Sequence, residues 1–446
     1  MKDLTKGYPA KVIMMFAIPL ILGNIFQQLY SMVDSMIVST YVGTDALAAV
    51  GATSVVSNTL IGFIHGLTQG FAILIANSFG AKDMKRMRRF VAGTIVLTLV
   101  VTIVITVMGF AFIVRILEFL NTPADILPDA ISYVNIILAG TIFSTAYNMF
   151  ASVLRAVGDS KRPLYCLIVG VIANIWLDLL FVREFRLGIE GAAYATIIAQ
   201  ALTAILCGGY LILQFREILP NSDEWKLEEG QYSDLITSGL SMGLMGCIVN
   251  IGTIVLQGAI NGLGTDIIAA HTAARRIFDI LMIMVYTVGM AMTTFVSQNM
   301  GAGLVKRVRQ GVRHANLMVT GITTFLIVIC YLFAEPAMKW TTHTENGAII
   351  EAGVMYLRIG VLFFYVLGPL FVLRCSLQGM GRKVVPVVAS VLEMVVKVLS
   401  ASLLIPIFGY VGVAFTEPIS WIIMTIWLAI GYLAKSPEKM LAEQNR

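Results

Sequence analysis

The fold of this chain is decided by stretches such as residues 91–114, which read VAGTIVLTLVVTIVITVMGFAFIV and carry no charged side chain. An α-helix rises about 1.5 Å per residue, so about 20 apolar residues cross the roughly 30 Å hydrocarbon core of a bilayer. A continuous apolar run of this length is typical of a membrane-spanning helix. It excludes a transmembrane β-barrel, whose strands are shorter and alternate polar with apolar residues.

The composition of the whole chain agrees with this interpretation. Of the 446 residues, 58% are hydrophobic and 13% are charged, and the mean hydropathy is +0.85. Soluble domains contain about 25% charged residues, so too few charges remain here to coat a soluble surface. The net charge of +5 comes from cations in short loops, which indicates membrane topology and not nucleic-acid binding. The five cysteines and four histidines are dispersed, so we expect neither a disulfide nor a metal cluster.

Twelve apolar blocks of this kind follow one another along the chain, and each is long enough to cross a bilayer. They predict an all-α membrane protein with twelve transmembrane helices. The blocks cover about residues 12–39, 46–76, 91–118, 127–154, 163–182, 188–215, 235–261, 267–297, 312–334, 347–375, 384–407 and 410–434.

The loops between the blocks alternate in charge. Lys and Arg cluster after blocks two, four, eight and ten, whereas the loops at 40–45, 119–126 and 262–266 contain neither. Because cytoplasmic loops of membrane proteins are enriched in Lys and Arg, this pattern predicts that both termini are cytoplasmic. The expected location is the cytoplasmic membrane of a prokaryote.

The longest polar stretch, residues 216–234, lies after block six in the middle of the chain. We interpret it as a cytoplasmic linker between an N-lobe, residues 1–215 with helices one to six, and a C-lobe, residues 235–434 with helices seven to twelve. Residues 435–446 form a predicted cytoplasmic tail.

Self-similarity between the two halves supports this division. A shift of 221 residues aligns Gly43-Thr44-Asp45 with Gly264-Thr265-Asp266, and a shift of 223 aligns Gly158 with Gly381. The matches fall at the same loops and helix starts in both halves. Six spans per repeat give two pseudo-symmetric lobes the same orientation, which is the parallel-repeat arrangement of transporters with a central pathway.

Short motifs recur in the corresponding loops of the two halves. They read NSFGAK at residues 77–82, QNMGAG at 298–303, LRAVGD at 154–159 and LQGMG at 377–381. In this order and at this spacing they resemble the multidrug and toxic compound extrusion (MATE) transporters. The resemblance covers essentially the whole chain.

Within that family the chain is similar to the DinF-type branch and its archaeal relatives. The resemblance implies that an Asp on helix one and an Asn-x-x-x-Asp pair on helix five, here Asp34, Asn174 and Asp178, serve the coupling ion. Tyr133 and Thr196 match polar positions of the same lobe. The resemblance also implies a transporter without enzymatic activity and without a cofactor other than the coupling ion, H⁺ or Na⁺.

The cost of burying charge points to the same residues. A carboxylate in the hydrocarbon region costs about 2.5–3.5 kcal/mol on insertion scales, so it needs a reason to be there. Asp34 and Asp178 lie at similar depths in spans one and five, and Asn174 shares the face of Asp178. Two carboxylates in a poorly solvated pocket cannot both be ionised cheaply. The oxygens of Asp34, Asn174, Asp178 and Thr196 therefore suit a proton or Na⁺, and the alternative is a structural hydrogen-bond network.

Two further polar residues precede Asp34 on the same face of helix one. Gln27 lies seven residues before it and Tyr30 four. They are candidates for a substrate cavity, and helix packing is the competing explanation.

The repeat does not duplicate the acidic pair in the C-lobe, but it places Glu393, Lys397 and Glu417 inside spans there. Glu393 and Lys397 are spaced i, i+4 and can form an ion pair. We expect these three residues to line the C-lobe side of the cavity and to attract cationic substrates. The alternative is a structural ion pair plus a carboxylate at a helix end, and Arg275 and Asp279 fit an internal pair equally well.

The sequence therefore predicts a secondary antiporter that exports small organic, cationic or amphipathic compounds in exchange for H⁺ or Na⁺ by alternating access. The nearest alternative is a flippase for lipid-linked or polysaccharide precursors of the same superfamily. No P-loop or HExxH motif occurs, so neither ATP drive nor an enzyme is expected. The expected partners are a small-molecule substrate and the lipid bilayer, with no nucleic acid, and the chain is expected to be a monomer.

Overall fold

A computed structural model describes residues 3–119 and 122–439, and these residues are almost entirely helical. Helices are the expected answer to an apolar sequence in a bilayer, because each helix satisfies its own backbone N–H and C=O groups. The end of the predicted tail, residues 440–446, lies outside the described residues. The helices are α1 (Pro9–Tyr41), α2 (Thr44–Gly80), α3 (Met84–Phe119), α4 (Leu127–Ala156), α5 (Lys161–Asp178), α6 (Gly188–Gln214), α7 (Gln231–Asn261), α8 (Thr265–Gly301), α9 (Val305–Thr342), α10 (Gly347–Leu362), α11 (Phe364–Gly379), α12 (Val384–Leu399), α13 (Ile405–Phe408) and α14 (Tyr410–Ala434).

The prediction of twelve membrane spans is confirmed, with one span broken. In the described chain, 11 helices are long and apolar enough to cross a membrane by themselves. The remaining span consists of α10 and α11, which meet at Phe363 with a bend of 51°. Pro369 follows in α11. It has no N–H to donate to the carbonyl of Tyr365, so the segment after the break lacks one backbone hydrogen bond.

Several helices are longer than the apolar blocks that predict them. α3 and α9 begin at Met84 and Val305, before the predicted starts near residues 91 and 312. Lys and Arg, which fill these extensions, are good helix formers. The helices therefore continue beyond the apolar run into water, where the charged side chains are solvated.

The chain divides into two compact units, and the boundaries between them fall within α1 and α7. The first unit contains Leu22–Gly243, and the second contains Asp3–Ile21 together with the residues from Leu244 onward. α1 and α7 are counterparts in the repeat, and both change unit at equivalent points. In the first unit the start of α7 packs closely on α2, because Gly66 and Gly70 lie directly against the backbone of Met242 and Ser238.

The linker after α6 is docked on the first unit. Arg88 in α3 donates through Nε and Nη2 to the two carboxylate oxygens of Glu224, at 2.7 and 2.8 Å. Arg89 pairs with Glu228. The side chain of Gln231 accepts a hydrogen bond from the backbone N–H of Glu228 at 2.9 Å, and α7 therefore begins at Gln231, four residues earlier than the sequence predicts.

The residues before α1 are docked on the second unit. The guanidinium of Arg307 donates to the carbonyl oxygens of Leu4, Lys6 and Gly7 at 2.6–3.2 Å. The backbone N–H of Leu4 donates to Gln298 Oε1 at 3.0 Å. The side chain of Leu4 is 2% exposed, so this short segment is part of the core of the second unit.

Paired glycines show why the repeat is visible in the sequence. Gly158 and Gly381 have φ of 83° and 80°, and Gly188 and Gly409 have φ of 61° and 56°. This left-handed region is accessible to glycine without the penalty that a Cβ atom brings. The two halves therefore share glycines where their loops take the same conformation.

Candidate functional site

Asp34 and Asp178 meet inside the first unit. Asp34 lies on α1 and is half-buried, and Asp178 is the last residue of α5 and is 0% exposed. Their carboxyl groups lie close enough to interact electrostatically. Two neighbouring carboxyl groups in a poorly solvated place cannot both be ionised cheaply, so the site favours one proton or one bound cation.

Asn174 fixes the position of Asp178. With its amide nitrogen facing Asp178, Asn174 donates to Asp178 Oδ2 at 2.8 Å, and its amide oxygen accepts from the backbone N–H of Thr196 at 3.2 Å. Asn174 is 1% exposed and Thr196 is 9% exposed. One buried amide thus ties α5 to α6 and orients the acidic side chain.

Two tyrosines complete the polar cluster. The hydroxyl groups of Tyr30 and Thr196 are 3.3 Å apart, which links α1 to α6. Tyr133 from α4 lies near both carboxyl groups, close enough to interact with them electrostatically. Four helices therefore contribute to one site in the first unit. Tyr30, which the sequence assigns to the substrate cavity, contacts this polar cluster through Thr196.

The oxygen atoms of the site fit a small hard cation as well as a proton. Asp34 Oδ1 and Asp178 Oδ1 are buried, and neither has a hydrogen-bond partner among the described residues. Oxygen donors are the ligands that hard cations prefer. Asp34, Asn174, Asp178 and Thr196 would supply those oxygens to Na⁺. In the described part of the chain, no group of three or more His, Cys, Asp or Glu residues is arranged to hold a metal ion.

A π-helical turn follows Asp178 directly. It covers Leu179–Glu184, and its counterpart after α12 covers Ser400–Leu404. π-Helical turns are rare and occur often at functional sites. Both halves of the repeat therefore widen the same helix at the same point. The residue directly before the turn is Asp178 in the first unit and Leu399 in the second.

Gln27 is not part of this cluster. Its side chain is exposed on α1, and among the described residues it makes no hydrogen bond to the carboxyl pair. Its predicted place in a substrate cavity stays a prediction.

Glu393 and Lys397 form the ion pair that their spacing predicts. Lys397 Nζ donates to Glu393 Oε1 at 2.9 Å and to Thr253 Oγ1 at 3.0 Å. The side chains of Glu393 and Lys397 are 12% and 3% exposed. Both charges are therefore compensated inside the second unit.

Glu417 is the eighth residue of α14 and is paired with arginine. Arg275 Nη1 donates to Glu417 Oε1 at 2.5 Å, and Arg275 Nε donates to Asp279 Oδ1 at 2.8 Å. Tyr356 donates to Glu417 Oε2 at 3.5 Å. Sequence reasoning did not identify Tyr356, although the shift of 223 residues pairs it with Tyr133. Each half of the repeat therefore places a tyrosine beside its polar cluster.

Comparison with known proteins agrees with this architecture. The MatE family model matches residues 19–180 and again residues 242–403, so the second match repeats the first 223 residues later. The chain is 27% identical to the probable multidrug resistance protein YpnP of Bacillus subtilis, over 85% of this chain and 84% of that protein. It is 23% identical to the FAD transporter of Shewanella oneidensis, over 95% of this chain and 94% of that protein.

A solved structure shares the fold. The chain superimposes on a MOP superfamily transporter from Pyrococcus furiosus with a TM-score of 0.88 and 23% identity, over 97% of this chain and 98% of that one. The family model covers well over half of the chain, in two copies that match the internal repeat. The chain therefore belongs to the MatE family of multi-pass membrane transporters and is not an enzyme.

Proposed function

We propose that this transporter is a secondary antiporter that exports small organic compounds, cationic or amphipathic, in exchange for H⁺ or Na⁺ by alternating access. It acts as a monomer in the cytoplasmic membrane of a prokaryote, with both termini in the cytoplasm. The observation that carries the proposal is the buried Asp34–Asp178 pair. The name of the Bacillus subtilis relative, a probable multidrug resistance protein, supports export of drugs.

The chain's own residues explain how an ion acts on the site. A bound cation or proton removes repulsion between the two carboxyl groups, which are otherwise poorly solvated. Asn174 holds Asp178 against α6, while Asp34 and Tyr30 lie on α1. Gain or loss of the ion therefore changes how tightly α1 is attached to α5 and α6. A helix that is attached in one ionic state and released in the other provides the two states that alternating access needs.

Efflux of a fluorescent organic cation from reconstituted vesicles tests this proposal. A pH gradient and a Na⁺ gradient are applied separately to the parent, to Asp34→Asn and to Asp45→Asn. Asp45 is an exposed residue in the first turn of α2, so its substitution is the matched control. We expect Asp34→Asn to lower gradient-driven efflux by roughly tenfold or more, the effect of losing a hydrogen bond to a charged group.

The control separates coupling from general damage. Asp45→Asn should transport as the parent does. The coupling site is wrong if Asp34→Asn matches the parent under both gradients. The choice between H⁺ and Na⁺ follows from the gradient that drives the parent.

A further inference from the structure

Arg275 and Asp279 carry charge deep in a membrane span and are partly exposed. Arg275 is the eleventh residue of α8, about 15 Å from the start of the helix. Its side chain is 32% exposed and that of Asp279 is 40% exposed. A charge at this depth is too costly to face lipid, so it lies against protein or against water that fills a cavity.

The hydrogen bonds of Arg275 leave one nitrogen of the guanidinium available. Nε donates to Asp279 and Nη1 donates to Glu417 and, at 3.5 Å, to Tyr356. Nη2 makes no hydrogen bond to the described residues. Asp279 uses Oδ1 for Arg275, and its other oxygen makes no hydrogen bond within the described part of the chain. The pair therefore presents a donor and an acceptor side by side.

The aromatic residues around the cluster hold the guanidinium in place. The guanidinium of Arg275 lies over the ring of Phe278, 5.8 Å from its centroid, and Phe278 stacks against Trp421 in the core. Glu417, whose side chain is 11% exposed, keeps Nη1 turned inward. An ion pair with a purely structural role would need only Glu417 beside Arg275. Asp279 adds a second and more exposed carboxylate, so Arg275, Glu417 and Asp279 together carry one net negative charge.

We propose that Arg275 and Asp279 form a substrate subsite within the second unit for zwitterionic organic compounds. The substrate carboxylate accepts from Nη2 of Arg275, and its cationic amine donates to Asp279. Glu417 is a positioning residue that orients Arg275. This inference rests on the proposed function, which it deepens by naming a substrate class that carries a carboxylate as well as a cation.

The test compares two probes that differ in one group: a rhodamine with a free carboxylate, which is zwitterionic, and its methyl ester, which is only cationic. Binding of each probe to the purified full-length protein is measured by equilibrium dialysis without any gradient. The variants are Arg275→Gln combined with Glu417→Gln, so that Glu417 is not left buried and unpaired, and Asp279→Asn. Arg276→Gln is the matched control, because Arg276 is the exposed neighbour of Arg275 on the same helix.

We expect the double variant to weaken binding of the zwitterion roughly tenfold, as loss of a charge-assisted hydrogen bond does, and to leave binding of the ester unchanged. Asp279→Asn should weaken both probes, and Arg276→Gln should weaken neither. Equal effects of the double variant on the two probes, or no effect on either, would overturn the subsite. Because binding is measured without a gradient, failure of coupled transport does not affect this result, and the two proposals can fail separately.

Discussion

At the scale of single residues, the molecule keeps charge inside the membrane in two different ways. In the first unit Asp34 and Asp178 face each other, and Asn174 supplies a hydrogen-bond donor to one of them. In the second unit, acidic side chains are paired with Arg275 and Lys397. Under the proposed function the first arrangement responds to an ion, whereas in the second the carboxylates already have cationic partners.

The sequence alone predicts the first arrangement better than the second. The burial cost of a carboxylate identifies Asp34 and Asp178, and helix periodicity adds Asn174. No local pattern indicates that Arg275 meets Glu417, because the two residues are far apart in the chain and their contact depends on how α8 packs against α14. For the same reason Glu417, predicted as a cavity carboxylate or a helix-end residue, proves to be a paired residue within α14.

Thr196→Val removes the hydroxyl that faces Tyr30 while it preserves size and branching. We expect gradient-driven efflux to fall roughly five- to tenfold, the effect of a hydrogen bond worth about 1–1.5 kcal/mol. The control is Thr203→Val in the same helix, because the Thr203 hydroxyl donates at 2.7 Å to the carbonyl of Ala199 one turn earlier. Initial efflux rates in reconstituted vesicles compare the two. Similar losses in both variants would mean that Thr196 acts through helix stability.

At the scale of elements, the ends of helices depend on side chains that the apolar pattern does not include. α7 begins where Gln231 caps the docked linker, and the tenth span breaks at Phe363. Apolar runs predict which segments are helical, because a segment in hydrocarbon must satisfy its backbone N–H and C=O groups internally. They do not predict where a helix continues into water or bends, because that depends on ion pairs and prolines.

The docked linker makes stability depend on pH. The hydrogen bonds from Arg88 hold the pKa of Glu224 below its usual range. A carboxylate whose pKa is depressed by folding stabilises the folded state above the pKa of the unfolded chain, about 4.3. It loses that contribution as the pH falls through the lower folded pKa.

Glu224→Gln should therefore lower the thermal unfolding temperature of the purified transporter at neutral pH. The expected loss is about 1.5–3 kcal/mol, the range for hydrogen bonds to charged groups. The difference from the parent should shrink as the pH falls below about 4. Unfolding curves recorded from pH 7 to pH 3 measure this difference. An offset that stays constant across this range would contradict the assignment to ionised Glu224.

At the scale of the whole molecule, the repeat is a property of the backbone more than of the site. Paired glycines and paired π-helical turns occupy equivalent places in both halves. The family model also matches the chain twice at one offset. The sequence predicts this symmetry because loop conformations restrict residue type. The chemistry of the two clusters differs, because the loop glycines restrict the backbone and not the polar side chains within the helices.

Gly381→Ala tests this role of the backbone. A Cβ atom at Gly381 meets nothing within 4 Å, so the cost is only that of φ near 80°, about 1 kcal/mol. Gly347→Ala is the control, because its Cβ also meets nothing and its φ is ordinary. Thermal unfolding in detergent should show a lower midpoint for Gly381→Ala than for the parent and no decrease for Gly347→Ala. Equal midpoints for the two variants would show that the loop relaxes.

With one acidic pair in a duplicated fold, the proposed coupling limits the substrate gradient that the transporter can sustain. Under the proposed coupling, a cycle that moves one net charge through a membrane potential of about 100 mV gains about 2.3 kcal/mol. Since each tenfold concentration ratio costs about 1.4 kcal/mol, that gain sustains a substrate gradient of about 50-fold. A second acidic pair in the other half, if it coupled one more charge per cycle, would square this concentration ratio. Under the proposed coupling, a single acidic pair would therefore give modest accumulation ratios and a low ion expenditure per molecule exported.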